Sequence, residues 1–102
     1  MTTMTIDPML DERWTLSPSV ALRPEPFGAM AYHFGNRKLT FLKKPELVAV
    51  VRALGDCDNV RDALVRAGVA EAHWPTYLTA LRGLAATDML RPVEVPIEGN
   101  TP

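Results

Sequence analysis

Phe27-Gly28-Ala29-Met30-Ala31-Tyr32-His33-Phe34-Gly35-Asn36-Arg37-Lys38-Leu39-Thr40-Phe41-Leu42 is the stretch that decides how this chain folds. Successive side chains of a strand point to opposite sides, so its first half sets Met30, Tyr32 and Phe34 on one face. Gly35-Asn36-Arg37 supplies turn chemistry, because Gly and Asn tolerate positive φ. Residues 38–42 return as a second strand, in which Leu39 and Phe41 share a face. Upstream, residues 19–23 make a further short strand that Pro24-Glu25-Pro26 breaks. Joined in order, these segments predict a three-stranded antiparallel meander.

Downstream the apolar period changes from two to that of a helix. Leu47, Val50, Val51 and Leu54 stand at i, i+3, i+4 and i+7, with Pro45 in a first turn and Gly55 as a stop. Val60, Ala63, Leu64 and Ala67 repeat the spacing behind a cap at Asp58 or Asn59, and Gly68 ends that helix. A third helix over residues 72–89 carries Trp74, Tyr77, Leu78, Leu81, Leu84 and Ala85, with Pro75 confined to its first turn. The predicted fold is α+β: a three-stranded antiparallel sheet followed by three helices, of the winged-helix kind. Residues 1–13 read as a flexible N-terminal arm, residues 14–90 as the domain, and residues 91–102, with Pro92, Pro96, Gly99 and Pro102, as a flexible C-terminal tail.

Composition narrows what such a domain can do. The chain has 102 residues, a net charge of −1 and 47% hydrophobic residues, which describes one domain with a small core. Its single cysteine, Cys57, permits neither an intrachain disulfide nor a cysteine metal cage, as expected of a cytoplasmic protein. Neither a secretory signal pattern nor an apolar run of membrane-spanning length is visible. His33 and His73 lie in different halves, with no carboxylate at metal-ligand spacing. A glycine-rich phosphate loop, a nucleophile elbow and a paired-carboxylate motif are all missing, so no catalytic residue, metal or cofactor is expected. The winged-helix pattern raises DNA binding as an alternative. Yet the third helix holds Arg82 as its only Lys or Arg, and an acidic balance cannot neutralise phosphates.

What remains is surface. Prolines blunt the first strand, whereas residues 38–42 contain none and offer a continuous row of backbone donors and acceptors. Such an edge invites another strand, either from a peptide or from a second copy in a strand-paired homodimer. Arg37, Lys38 and Lys43 flank it and would steer an acidic peptide. On the third helix, Tyr77 and Leu84 read either as core or as the wall of a groove beside that strand.

The stretch from Leu22-Arg23-Pro24-Glu25-Pro26-Phe27-Gly28 through Tyr32-His33-Phe34-Gly35 to Lys43 resembles the signature of the mycofactocin biosynthesis chaperones. The resemblance runs over residues 14–91, taking in Val50-Val51-Arg52-Ala53-Leu54 and Tyr77-Leu78-Thr79-Ala80-Leu81. That family is similar to the small chaperone of pyrroloquinoline quinone biosynthesis and belongs with the RiPP recognition elements. The resemblance implies a non-catalytic protein that binds the leader of a ribosomal precursor peptide as an added strand. Peptide contacts are then expected from Lys38, Leu39, Thr40, Phe41 and Leu42, and from Tyr77, Leu81, Arg82 and Leu84 across the groove. It also implies delivery to a radical SAM (S-adenosylmethionine) maturase, which holds the iron–sulfur clusters itself. On this reading, proline at Thr40 removes a ladder donor and lowers peptide affinity more than stability.

Overall fold

A computed structural model describes residues 8–93. The alternating stretch forms the expected meander: β2 (Val20–Glu25), β3 (Gly28–His33) and β4 (Leu39–Leu42), antiparallel in the order β2-β3-β4. Before it lies β1 (Trp14–Leu16). After it come α1 (Pro45–Ala53), α2 (Val60–Arg66), α3 (Trp74–Ala86) and a last strand, β5 (Leu90–Pro92). The α+β arrangement of three strands followed by three helices is therefore present.

A second sheet, formed by β1 and β5 in the register Trp14↔Pro92, Thr15↔Arg91 and Leu16↔Leu90, adds to it. Bonds from Ser17 N to Met89 O (2.8 Å) and from Val93 N to Arg13 O (2.8 Å) continue the pairing on both sides. Three-residue strands are too short to display a period, so this pair left no mark in the sequence pattern. Within the stretch assigned to the arm, Pro8–Asp11 forms a 3-10 turn that seats Met9 and Leu10 in the core. Residues 1–7 of the arm and 94–102 of the tail lie outside the described residues.

Hydrogen-bond alternation explains why Pro24 sits inside β2 instead of ending it. Phe34 N donates to Ser19 O (2.8 Å), so in the register Val20↔His33 the bonded pairs of β2 fall at Ala21, Arg23 and Glu25. Pro24, opposite Ala29, falls on a non-bonded pair, and its missing N–H faces the open edge.

The core side of β3 carries Ala29, Ala31 and His33, all buried, while Met30 and Tyr32 on the other side stay half exposed. Small side chains line the inner face because α1, with Val50 and Val51 fully buried, packs directly on β3. Gly28 has a φ of +149°, and a Cβ there would stand 2.0 Å from Leu42 O, so the β2–β3 corner admits no side chain.

The β3–β4 turn differs from expectation in which residue takes positive φ. Arg37 does (φ 63°), not Gly35 or Asn36. Asn36 works through its side chain instead. Its Oδ1 accepts from Lys38 N (2.9 Å), and its Nδ2 donates to Thr87 O (2.9 Å) just past α3. Gly35 leaves room for the His33 ring, whose Cε1 would lie 2.9 Å from a Cβ. His33 Nδ1 accepts from Gly35 N (2.9 Å) and Asn36 N (3.1 Å), which puts the ring proton on Nε2. Nε2 then donates to Asp88 Oδ2 at 2.9 Å.

Helix boundaries follow local chemistry. Pro45 opens α1, and Asn59, one of the two candidate caps, closes the first turn of α2 by accepting from Asp62 N at 2.8 Å. Gly68 takes a φ of +79° beyond α2. A 3-10 turn (Glu71–His73) leads into α3, and Pro75 lies in the first turn as it must.

The hydrogen bond from His33, with Arg91 nearby, holds the Asp88 carboxyl below its ordinary value. A depressed carboxylate contributes stability that is present at neutral pH and disappears as pH falls through the depressed value. Asp88→Asn tolerates the same positive φ (64°) but carries no charge. It should melt below the parent at pH 7, and the gap should close as pH drops below about 4. Circular-dichroism melts between neutral and strongly acid pH check this, and a gap that stays constant with pH would refute it.

Candidate peptide-binding groove

Among the described residues, β4 has a strand on one side only, because it ends the β2-β3-β4 order. His33 N donates to Lys38 O (3.0 Å), which makes that opposed pair a bonded one. Alternation along the register Ala31↔Thr40 and Ala29↔Leu42 then turns the N–H and C=O of Thr40 and Leu42 toward β3. Leu39 and Phe41 sit in non-bonded pairs, so their N–H and C=O groups face the open edge. This corrects the expectation for Thr40, whose donor belongs to the sheet's own ladder. On the opposite edge, Pro24 supplies no donor and Val20 N is taken by Ser17 O (3.0 Å), so the two edges of the sheet are not equivalent.

Beside the open edge runs α3. Phe41, Lys43 and Lys44 from the strand side, Leu47 from α1, and Thr76, Tyr77 and Ala80 from α3 line a cavity of about 220 Å³. That is smaller than the roughly 300–1,000 Å³ of small-molecule pockets, and it suits individual side chains of an extended chain. Lys44, Glu46, Val69, Ala70, His73 and Tyr77 line an adjoining space of about 480 Å³. Lys44 and Tyr77 are common to both.

Tyr77 is 7% exposed, and Lys44 Nζ lies 5.7 Å from its ring centroid, a cation–π distance. Burial, and after it the Glu46 carboxylate, push its phenol above the ordinary value, so it keeps its proton at neutral pH.

The residues singled out from the sequence fall into separate places. Phe41, Lys43 and Tyr77 meet around one cavity. Arg37, Lys38 and Leu39 are exposed at the turn and along the strand, and Thr40 is half-buried. Leu42, Leu81 and Leu84 are buried in the core, while Arg82 is exposed on α3. The choice between core and groove is thus split: Tyr77 lines the cavity and Leu84 does not. Truncating Leu81 would cost about 2–5 kcal/mol of stability, whatever it did to binding. Sequence reasoning missed Leu47, Thr76 and Ala80. Thr76 and Ala80 stand four apart beside Tyr77, and that spacing identifies them once the rotation of α3 is known.

Among the described residues, no group of three or more His, Cys, Asp or Glu could hold a metal ion, and no helix is long and apolar enough to cross a membrane.

Residues 13–91 match the family model described as the Peptide chaperone MftB family. The chain is 52% identical over 84 residues to the peptide chaperone MftB of Mycobacterium ulcerans (strain Agy99), covering 82% of this chain and 77% of the relative. It is 51% identical over 82 residues to that of Mycobacterium tuberculosis (strain ATCC 25618 / H37Rv), covering 80% and 75%. It is also 51% identical over 89 residues to that of Mycolicibacterium smegmatis (strain ATCC 700084 / mc(2)155), covering 87% and 85%. No solved structure matches the chain.

The two faces of the β4 backbone give different responses to proline. Thr40→Pro deletes a donor to β3 and strands its acceptor, which should lower stability by about 1–3 kcal/mol. Leu39→Pro deletes an outward donor and should cost much less. Urea unfolding of the two variants compares them directly, and an equal loss in both would contradict the assigned alternation.

Proposed function

This chain belongs to the Peptide chaperone MftB family, a family of non-catalytic proteins of mycofactocin biosynthesis, and from that premise we propose how it works. It captures the leader of the precursor peptide as an antiparallel strand added to β4 and delivers it to a radical SAM maturase. The observation that carries this reading is the unpaired edge of β4, with the backbone groups of Leu39 and Phe41 facing out beside the Phe41–Tyr77 cavity. Main-chain bonds to Leu39 and Phe41 supply affinity that is indifferent to peptide sequence. Side chains of the peptide opposite Thr40 and Leu42 fall on the α3 side, where Thr76, Tyr77 and Ala80 select among them. Arg37, Lys38, Lys43 and Lys44 steer an acidic segment toward the edge. No bond of the peptide changes here. Delivery works by raising the peptide's local concentration at the maturase.

An amide NMR titration of the labelled protein with a synthetic precursor peptide tests this. Shifts should concentrate at residues 38–42 and along the N-terminal half of α3, and added salt should weaken binding. Loss of one outward hydrogen bond in Leu39→Pro should weaken affinity about fivefold, with Leu39→Ala as the side-chain control. An absence of shifts at several-fold excess peptide would end the proposal. Light scattering with and without peptide tests whether the same edge pairs two copies instead.

A further inference from the structure

The face of the β2-β3-β4 sheet turned away from the helices is apolar and open. Met30 stands opposite Phe41 and Tyr32 opposite Leu39. Phe27 meets Phe41 edge-on at 5.8 Å, and Phe34 meets Tyr32 edge-on at 5.3 Å, so the side chains form one continuous patch. Phe27, Phe34, Leu39 and Phe41 are 41%, 61%, 48% and 50% exposed. None of this is needed for the core, which lies on the other side of the sheet. Apolar patches of this kind mark interaction surfaces in soluble proteins.

The charge around the patch selects its occupant. Arg37 and Lys43 stand at the two ends of the β4 column, and Arg23 lies opposite Met30. Glu25 is the carboxylate on the β2 column, 3.6 Å from Arg23. Two copies stacked face to face would set these cations against each other. A partner with an apolar centre and a carboxylate rim meets no such repulsion.

Size adds a further condition. At roughly 200 Å² for a whole aromatic side chain, the three phenylalanines leave on the order of 300 Å² uncovered. A stable protein–protein interface takes about 800 Å² from each partner. The captured peptide changes this, an argument that rests on strand addition at β4. Directly opposed residues of an antiparallel pair project to the same side of the sheet. The peptide residues opposite Leu39 and Phe41 therefore land on the open face and widen it by another column.

We infer that the outer face of this sheet, completed by every second residue of the bound peptide, is the surface on which the peptide-modifying maturase docks. The maturase presents an apolar patch rimmed by carboxylates. The loaded chaperone consequently binds it more tightly than the empty one, and the two faces of the added strand have separate readers. The side toward α3 is read by the chaperone, and the side away from it by the maturase.

Two substitutions outside the edge and the groove test this in the full chain: Phe34→Ser, which removes the most exposed aromatic, and Ala21→Glu, which puts a charge opposite Tyr32 on exposed β2. Calorimetric titration is run with purified maturase and with precursor peptide, and melting curves confirm folding. Expected are peptide affinities within about twofold of the parent and maturase affinities of the loaded protein lowered about tenfold or more, as when an interface anchor is lost. The loaded parent should also bind maturase more tightly than the empty parent. Unchanged maturase affinity in both folded variants overturns the inference. So does light scattering that shows the parent as a dimer and both variants as monomers, which assigns the face to a second copy. If the parent binds no peptide, strand addition fails by itself, and the empty variants still decide whether this face docks the maturase.

Discussion

The buried imidazole of His33 sets the geometry on which the groove depends. One ring nitrogen gathers two amides of the β3–β4 turn, and the other reaches Asp88 just beyond α3. A polar ring that is 5% exposed survives burial because both nitrogens are bonded. Its effect is to fix the beginning of β4 against the far end of α3, with Asn36 bonding Thr87 O as a second tie. Near the other end, Lys44 stands over the Tyr77 ring. Held at both ends, strand and helix keep the space between them without closing on it.

That arrangement explains how a small domain keeps one sheet edge available without leaving two. An unpaired edge is an aggregation hazard, and proteins usually blunt it. Here β2 is blunted by Pro24 at a non-bonded position, at little cost to pairing with β3. β4 lacks that protection and is flanked instead by the exposed cations Arg37, Lys38, Lys43 and Lys44, a common guard against edge-to-edge pairing.

Much of this was legible in the residues, and what was not has a physical cause. Strict alternation through Met30, Tyr32, Leu39 and Phe41 announced the hairpin, and helical spacing announced all three helices. Alternation gives two faces but does not say which is inner. The aromatic side proved to be outside, because α1 lies close enough to admit only Ala29 and Ala31 beneath it. The partners of His33 come from a turn and from the far end of the chain, so no local pattern contained them. Tyr77, Leu81 and Leu84 looked alike as apolar positions, and only the rotation of α3 separates the groove wall from the core. The specific blocks around Tyr32-His33-Phe34-Gly35, by contrast, pointed to the family before any geometry was known.

The pairing of β1 with β5 has a mechanical consequence. Trp14 and Pro92, the outermost partners, lie side by side, and Val93 N still reaches Arg13 O at 2.8 Å. Tension applied where the chain leaves β5 therefore meets this short ladder first, loading its rungs one after another as a zipper is loaded. On the entering side the buried Met9 and Leu10 stand ahead of it. The ladder is a fuse. It yields in small steps while β2, β3 and β4 carry no load, so a pull on the segment beyond β5 is spent before it can reach the β4 edge.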